Sequence, residues 1–262
     1  MASMKAAPRA LMMLLQCWLN PQAVVVISHP FNIWLALFIR AANAVIAYDD
    51  GIAYYVATRL PRQRRAKIYR AIVAKHFRWT DEGGKPVEDY RSMLASSRVL
   101  EMHAMYPDLL QDLPMPVVQI DLGRAFPPSE TSADEPIALY LDSAPEVPVE
   151  LGVERVIDYL QSAAASHPSG TMWYRPHPSA VSKISQALAE TPWARRLDGV
   201  FEEIVAARSI DALYSFHSSG ALLVRHYNPD ARIVNFTNKN LLTTETGAHQ
   251  LFERIGAHEI AI

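Results

Sequence analysis

Along most of this chain, short β-branched runs alternate with stretches whose apolar residues recur at helical spacing. "AVVVISH" (23–29) predicts a strand that stops at Pro30, and the following "NIWLALFIRAANA" places Ile33, Leu35, Phe38 and Ile39 as a helix does. "AVIAY" (44–48) predicts a second strand, and strand, helix, strand is the seed of a parallel sheet. The basic stretch "VATRLPRQRRAKIYRAIVAKH" (56–76) predicts a helix interrupted at Pro61, either a solvated face or a surface turned toward a membrane or an acceptor. "WTDEGGKP" predicts a turn, and "PVVQIDLG" (116–123) another strand.

"FPPSETSADEP" (126–136) is rich in proline, serine and acid and has no period, which marks a linker. Beyond it the alternation restarts. "IALYLD", "TMWYRP", "IDALYSF" and "ARIVNF" predict strands; "GVERVIDYLQSAAASH", "SAVSKISQALAET", "FEEIVAARS" and "SGALLVRHY" predict helices. The pattern therefore predicts an α/β protein with a first domain over 1–125, a second over 137–262 and a cleft between them.

Composition narrows the function. Half of the 262 residues are hydrophobic and a fifth charged, as in a globular protein. A formal charge of -2 provides no global basic field for nucleic acid, so any anion site must be local. The single cysteine, Cys17, excludes an intrachain disulfide framework and a cysteine-rich zinc site, and makes a reducing cytoplasm the default location. "ALMMLLQCWL" (10–19) is too short for a span that needs about 20 apolar residues. It follows Lys5 and Arg9 as a signal core would, but "NPQAVVVISHP" behind it lacks a small-residue cleavage pattern.

Three constellations carry candidate chemistry. In "AYDDGIAYY", Asp49 and Asp50 point to opposite sides of an extended backbone, so only one need face a ligand, and Gly51 permits a sharp turn at the strand end. A carboxylate there serves as a general base or, alternatively, caps the next helix. In "WYRPHPSA" a strand ends at Arg175, and His177 lies between two prolines that restrict it; it is either a rigidly presented donor to a phosphate or a loop histidine without a task. In "YSFHSSGALLV", Ser218 and Ser219 follow a strand and open a helix, where backbone N–H groups and hydroxyls either cradle a phosphate or cap the helix. A base in one half and a phosphate cradle in the other is the layout a sugar-nucleotide transferase requires.

"YDDG" with a tyrosine shortly after, "RPHP" and "HSSG", in that order, resemble the bacterial sialyltransferases and polysialyltransferases, which carry an acidic-acidic-glycine, a His-Pro and a Ser-Ser motif. The likeness covers most of the chain from about residue 23 through "FEEIVAARSIDALYSFHSS". It implies a GT-B-like fold of two Rossmann-like domains with a central cleft, the first acceptor-side and the second donor-binding. It also implies inverting transfer of sialic acid from CMP-sialic acid to a hydroxyl of a bacterial surface glycan, without a metal or other cofactor. By position, Asp50 is then the general base, and His177 contacts the CMP phosphate and assists its departure. Ser218 and Ser219 hold that phosphate, with Gly51, Arg175 and Pro178 completing the set. Glu203 of "FEE" holds the nucleotide or is simply a first-turn glutamate.

The chain departs from such enzymes where they begin with a strand before the helix at 10–19, and at Arg175, where lysine is frequent. His167 in "SHPSG" is a second His-Pro, but in a turn before a strand, away from the expected site. The donor CMP-sialic acid and a glycan acceptor are the expected partners, with peripheral association at the inner face of the membrane and a homodimer through the apolar N-terminus, and no nucleic acid. CMP-Kdo-dependent transfer, polyol-phosphate transfer from a CDP donor, and a non-catalytic nucleotide-binding remnant are the competing readings.

Overall fold

The structure, a computed structural model, describes residues 11–16, 18–20, 22–27, 38, 41–48, 99–121, 135–142, 152–177, 181–237 and 246–261. Most of the helix expected after Pro30, the basic stretch 56–76, the turn in "WTDEGGKP", most of the linker, and Asp49, Asp50, Gly51 and Pro178 lie outside the described residues. The chain is α/β and divides into two units, 1–120 and 121–262. No described helix is long and apolar enough to cross a membrane.

In the first unit, β1 (Val24–Ile27), β2 (Ala44–Tyr48), β3 (Val99–Ala104) and β4 (Val117–Gln119) form a wholly parallel sheet in that order. Strand alternation turns Ile27, Val45, Ala47, Met102 and Ala104 into a buried face. The 3-10 turn Pro107–Leu110 links β3 to β4 and buries Leu110. Strand β3 carries no clear apolar period, because Glu101 and His103 interrupt its apolar run. As i and i+2 neighbours they share a strand face, and their side chains pair at 2.9 Å. The strand expected over 116–123 is confined to three residues.

In the second unit, β5 (Ile137–Leu141), β6 (Met172–Arg175), β7 (Ala194–Arg196), β8 (Ile210–Ser215), β9 (Arg232–Thr237) and β10 (His258–Ala261) make a parallel sheet in the order β10-β9-β8-β5-β6-β7. Helices follow the strands in turn: α1 (Val153–Ser166), α2 (Lys183–Ala189), α3 (Phe201–Ala207), α4 (Gly220–Tyr227) and α5 (Thr246–Arg254). β5 is central and its five residues are all buried, the continuous apolar run expected of a parallel strand covered on both faces. One face meets α1 and α2: Val156, Leu160, Ala164, Ile184 and Leu188 pack on Tyr140, Met172, Tyr174, Tyr214, Val234 and Phe236. The alternate strand residues face the other way, where α3 and α4 pack together. The short edge strands β7 and β10 and helix α5 were not expected from the sequence; "ARR" and "HEIA" bury little apolar surface.

Connections from helix back to strand, at the amino ends of the strands, are tied by hydrogen bonds. Asn228 Oδ1 accepts the Ile210 N–H at 2.9 Å while its Nδ2 donates to the Val205 carbonyl at 3.4 Å. His167 Nδ1 bonds Ser169 Oγ at 2.8 Å, and its Nε2 lies 3.4 Å from the Asp211 carboxylate without a hydrogen bond to it. Gly170, at φ +61, closes that turn in the left-handed region that favours glycine.

Candidate functional site

The order of strands fixes where a ligand can bind in the second unit. The chain moves outward from β5 to β6 and β7, then returns to lay β8 on the other side of β5. At the β5/β8 junction the two following loops leave for opposite faces of the sheet, and the gap between them is where open parallel sheets take ligands. The segment after β8 is Phe216, His217, Ser218 and Ser219; the segment after β6 begins Pro176, His177. β6 and β8 flank β5, so their ends stand about 10 Å apart, two strand spacings. The sheet thus brings Arg175, His177, Ser218 and Ser219 to one rim.

Local geometry around the serines is specific. His217 adopts φ 41, left-handed for a residue other than glycine, and its N–H donates to Asn235 Oδ1 at 2.7 Å. That bond, across the Ser215–Asn235 register pair, makes the chain leave β8 sharply. Ser218 Oγ accepts the Gly220 N–H at 3.3 Å, and the carbonyls of Ser218 and Ser219 accept the Ala221 and Leu222 N–H groups at 3.1 and 3.0 Å. Ser219 occupies the N-cap of α4, yet its hydroxyl makes no capping bond. The capping alternative for the pair is therefore met by Ser218 alone. Beneath them, Ser215 Oγ and Asn235 Nδ2 are buried and meet no hydrogen-bond partner among the described residues. An unsatisfied buried polar group costs about 1–3 kcal/mol, a debt that a polar ligand or water at this rim would relieve.

The His-Pro segment is held from β5. Asp142, directly after that strand and 3 % exposed, donates its own N–H to the Arg175 carbonyl at 3.0 Å. Its carboxylate accepts the Ser185 hydroxyl at 2.7 Å, the Ser182 N–H at 3.2 Å and the Tyr140 hydroxyl at 3.3 Å. Burial, and then the adjoining Asp142 charge and hydrogen bond, push the Tyr140 phenol well above its ordinary range, so it remains a donor. Arg175 extends toward the loop after β7, reaching the Leu197 carbonyl at 3.5 Å.

The other expected residues separate. Glu203 lies in the first turn of α3 with its side chain exposed, where its charge faces the positive end of the helix. His167 precedes β6 whereas His177 follows it, so the two His-Pro pairs stand at opposite ends of one strand. Asp50 follows the carboxyl end of β2 in the chain, outside the described residues, as does Pro178 after His177. Asp142 and Asn235 were not singled out from the sequence. The available signal was one polar residue closing or interrupting an otherwise apolar strand, in "IALYLD" and "RIVNF". No protein-family profile matches this chain, and no curated protein matches it.

Proposed function

We propose that this chain is an inverting glycosyltransferase that moves sialic acid from CMP-sialic acid to a hydroxyl of a bacterial surface glycan, its two α/β units being the halves of a GT-B enzyme. The observation that carries the reading is the shared rim: His177 and the Ser218–Ser219 pair follow parallel strands on either side of β5, at the point where the strand order reverses. A phosphate monoester bridging that gap meets the serine hydroxyls on one side and an imidazole on the other.

The chemistry is assigned as follows. Asp50 takes the proton of the acceptor hydroxyl as its oxygen attacks the anomeric carbon of the donor. The bond from that carbon to the CMP phosphate oxygen breaks through an oxocarbenium-like state, and the anomeric configuration inverts. Charge that gathers on the departing phosphate is met by His177, which donates a hydrogen bond or proton, and by Ser218 and Ser219. Hydrogen bonds can serve here because a monophosphate leaves with less charge than a diphosphate.

Calorimetric titration with CMP, CDP, UMP and GDP tests the donor class. Preferential binding of CMP, followed by turnover of CMP-Neu5Ac in preference to CMP-Kdo, is the expected result. Equal binding of all four nucleotides, or of none, removes the reading.

A further inference from the structure

The geometry points to Asp142 as the residue that positions the His177 loop, by tying both of its ends to the carboxyl end of the central strand. The inference extends the reading of His177 as a donor-binding group and rests on it for its functional half.

Six residues, Pro176 to Val181, separate Arg175 at the end of β6 from Ser182 at the N-cap of α2. Asp142 holds both flanks. Its backbone N–H donates to the Arg175 carbonyl at 3.0 Å, and its Oδ2 accepts the Ser182 N–H at 3.2 Å. The same oxygen accepts the hydroxyl of Ser185, itself buried, at 2.7 Å, while Ser182 Oγ accepts the Ser185 N–H at 3.1 Å. Asp142 therefore pins the start of α2 through its side chain and the end of β6 through its backbone N–H. Between these anchors His177 directly follows Pro176, whose ring fixes its own φ, and in the sequence it precedes a proline, which disfavours helical backbone at His177 itself.

A carboxylate at this depth is a costly way merely to close a loop, because removing the charge from water must be offset by charge-assisted bonds. Its gain is a fixed location for the loop relative to β5, the strand beside which Ser218 and Ser219 emerge. The distance between imidazole and serine pair is then set by sheet geometry, not by loop fluctuation, the kind of support a preorganised site needs.

Asp142→Ala and Asp142→Asn separate this role from general stability. Asparagine can turn its Oδ1 to the Ser182 and Ser185 donors and its amide to the Tyr140 oxygen, so it keeps the tie; alanine keeps the backbone bond to Arg175 but cuts the side-chain tie to α2. In wild type and both variants, the readouts are the His177 imidazole proton resonance, identified by its loss in His177→Ala, and CMP affinity by calorimetry. Alanine should displace or broaden that resonance and weaken CMP binding about tenfold or more, with asparagine close to wild type in both. An alanine variant with an unmoved resonance, or with a moved resonance and unchanged affinity, overturns the inference. Wild-type protein that ignores CMP refutes the nucleotide reading instead, and the resonance still decides whether the tie exists. If alanine prevents folding, Ser185→Ala, which deletes only the 2.7 Å bond, replaces it: a moved resonance supports the tie and an unmoved one refutes it.

Discussion

Replacing Gly220 by alanine sets two effects of opposite sign against each other. Gly220 opens α4, and alanine in a helix is favoured over glycine by up to about 1 kcal/mol. If space were open, the variant would be more stable than wild type. The added Cβ, however, would lie 2.3 Å from Leu141 Cδ2, 2.8 Å from Phe201 Cε1 and 3.1 Å from Phe201 Cζ. Carbon atoms pack favourably at about 3.5–4.0 Å, so the nearest contact is more than an ångström too close. Leu141 and Phe201 are 8 % and 9 % exposed and sit on different elements, so one rotamer change does not relieve both contacts. Overpacking costs about 1–3 kcal/mol, and a 2.3 Å contact calls for the upper part of that range, about 2–3, so after a helix gain of about 1 a net loss of about 1–2 kcal/mol remains. Hydrogen exchange of the β8 and α4 amides across a urea series reports this unit directly. Gly170→Ala is the control, because nothing lies within 4 Å of its added Cβ and only the φ of +61 is strained, at about 1–2 kcal/mol. A Gly220→Ala protein as stable as wild type, or more so, would show that helix α4 does not press on the central strand as described.

Four other changes test the remaining parts. Asn235→Ala removes the acceptor of the His217 N–H and should cost about 1–3 kcal/mol while speeding exchange of the His217 amide; unaltered exchange there would dismiss the bond as a determinant of the turn. Tyr140→Phe should flatten the loss of stability in alkali: with the native phenol raised above the unfolded value near 10, the unfolded chain sheds a proton that the native one keeps. Stability is then complete below about pH 10 and falls by roughly 1.4 kcal/mol per unit above it, a slope that paired urea titrations near pH 8 and pH 11 would measure and that should persist in the variant if Tyr140 is not its source. Ser218 and Ser219 both changed to alanine should weaken CMP binding by a factor of about a hundred or more, the worth of two bonds to a charged group, and full affinity would remove them from the site. Asp50→Ala should abolish transfer of the sugar but leave calorimetric CMP affinity intact; residual turnover near the wild-type rate would exclude it as the base.

Elements that bury a continuous or alternating apolar face were legible in the sequence: β2, β6 and β8 lie where "AVIAY", "TMWYRP" and "IDALYSF" placed them, because the same side chains that set the period also make the core. The edge strands of the second sheet were not, since β7 and β10 take their place from backbone pairing with β6 and β9 and leave little apolar signal. At the rim, the prolines flanking His177 and the strand-to-helix junction at Ser218 and Ser219 were legible. The supporting polar residues escaped notice because their value arises only when strands far apart in the chain become neighbours. Asp142 reaches Ser185 across 43 positions, and Asn235 reaches His217 across 18. Local spacing contains no trace of either contact.

The bonded turns at the amino ends of the second sheet have a bearing on how such a scaffold changes with time. Asn228 and His167 bind these rear connections to their own strands and helices, independently of whatever occupies the opposite rim. Substitutions that recast the front loops for a different ligand therefore need not disturb the foundation, and selection can explore specificity at one end of the sheet while the other preserves the fold.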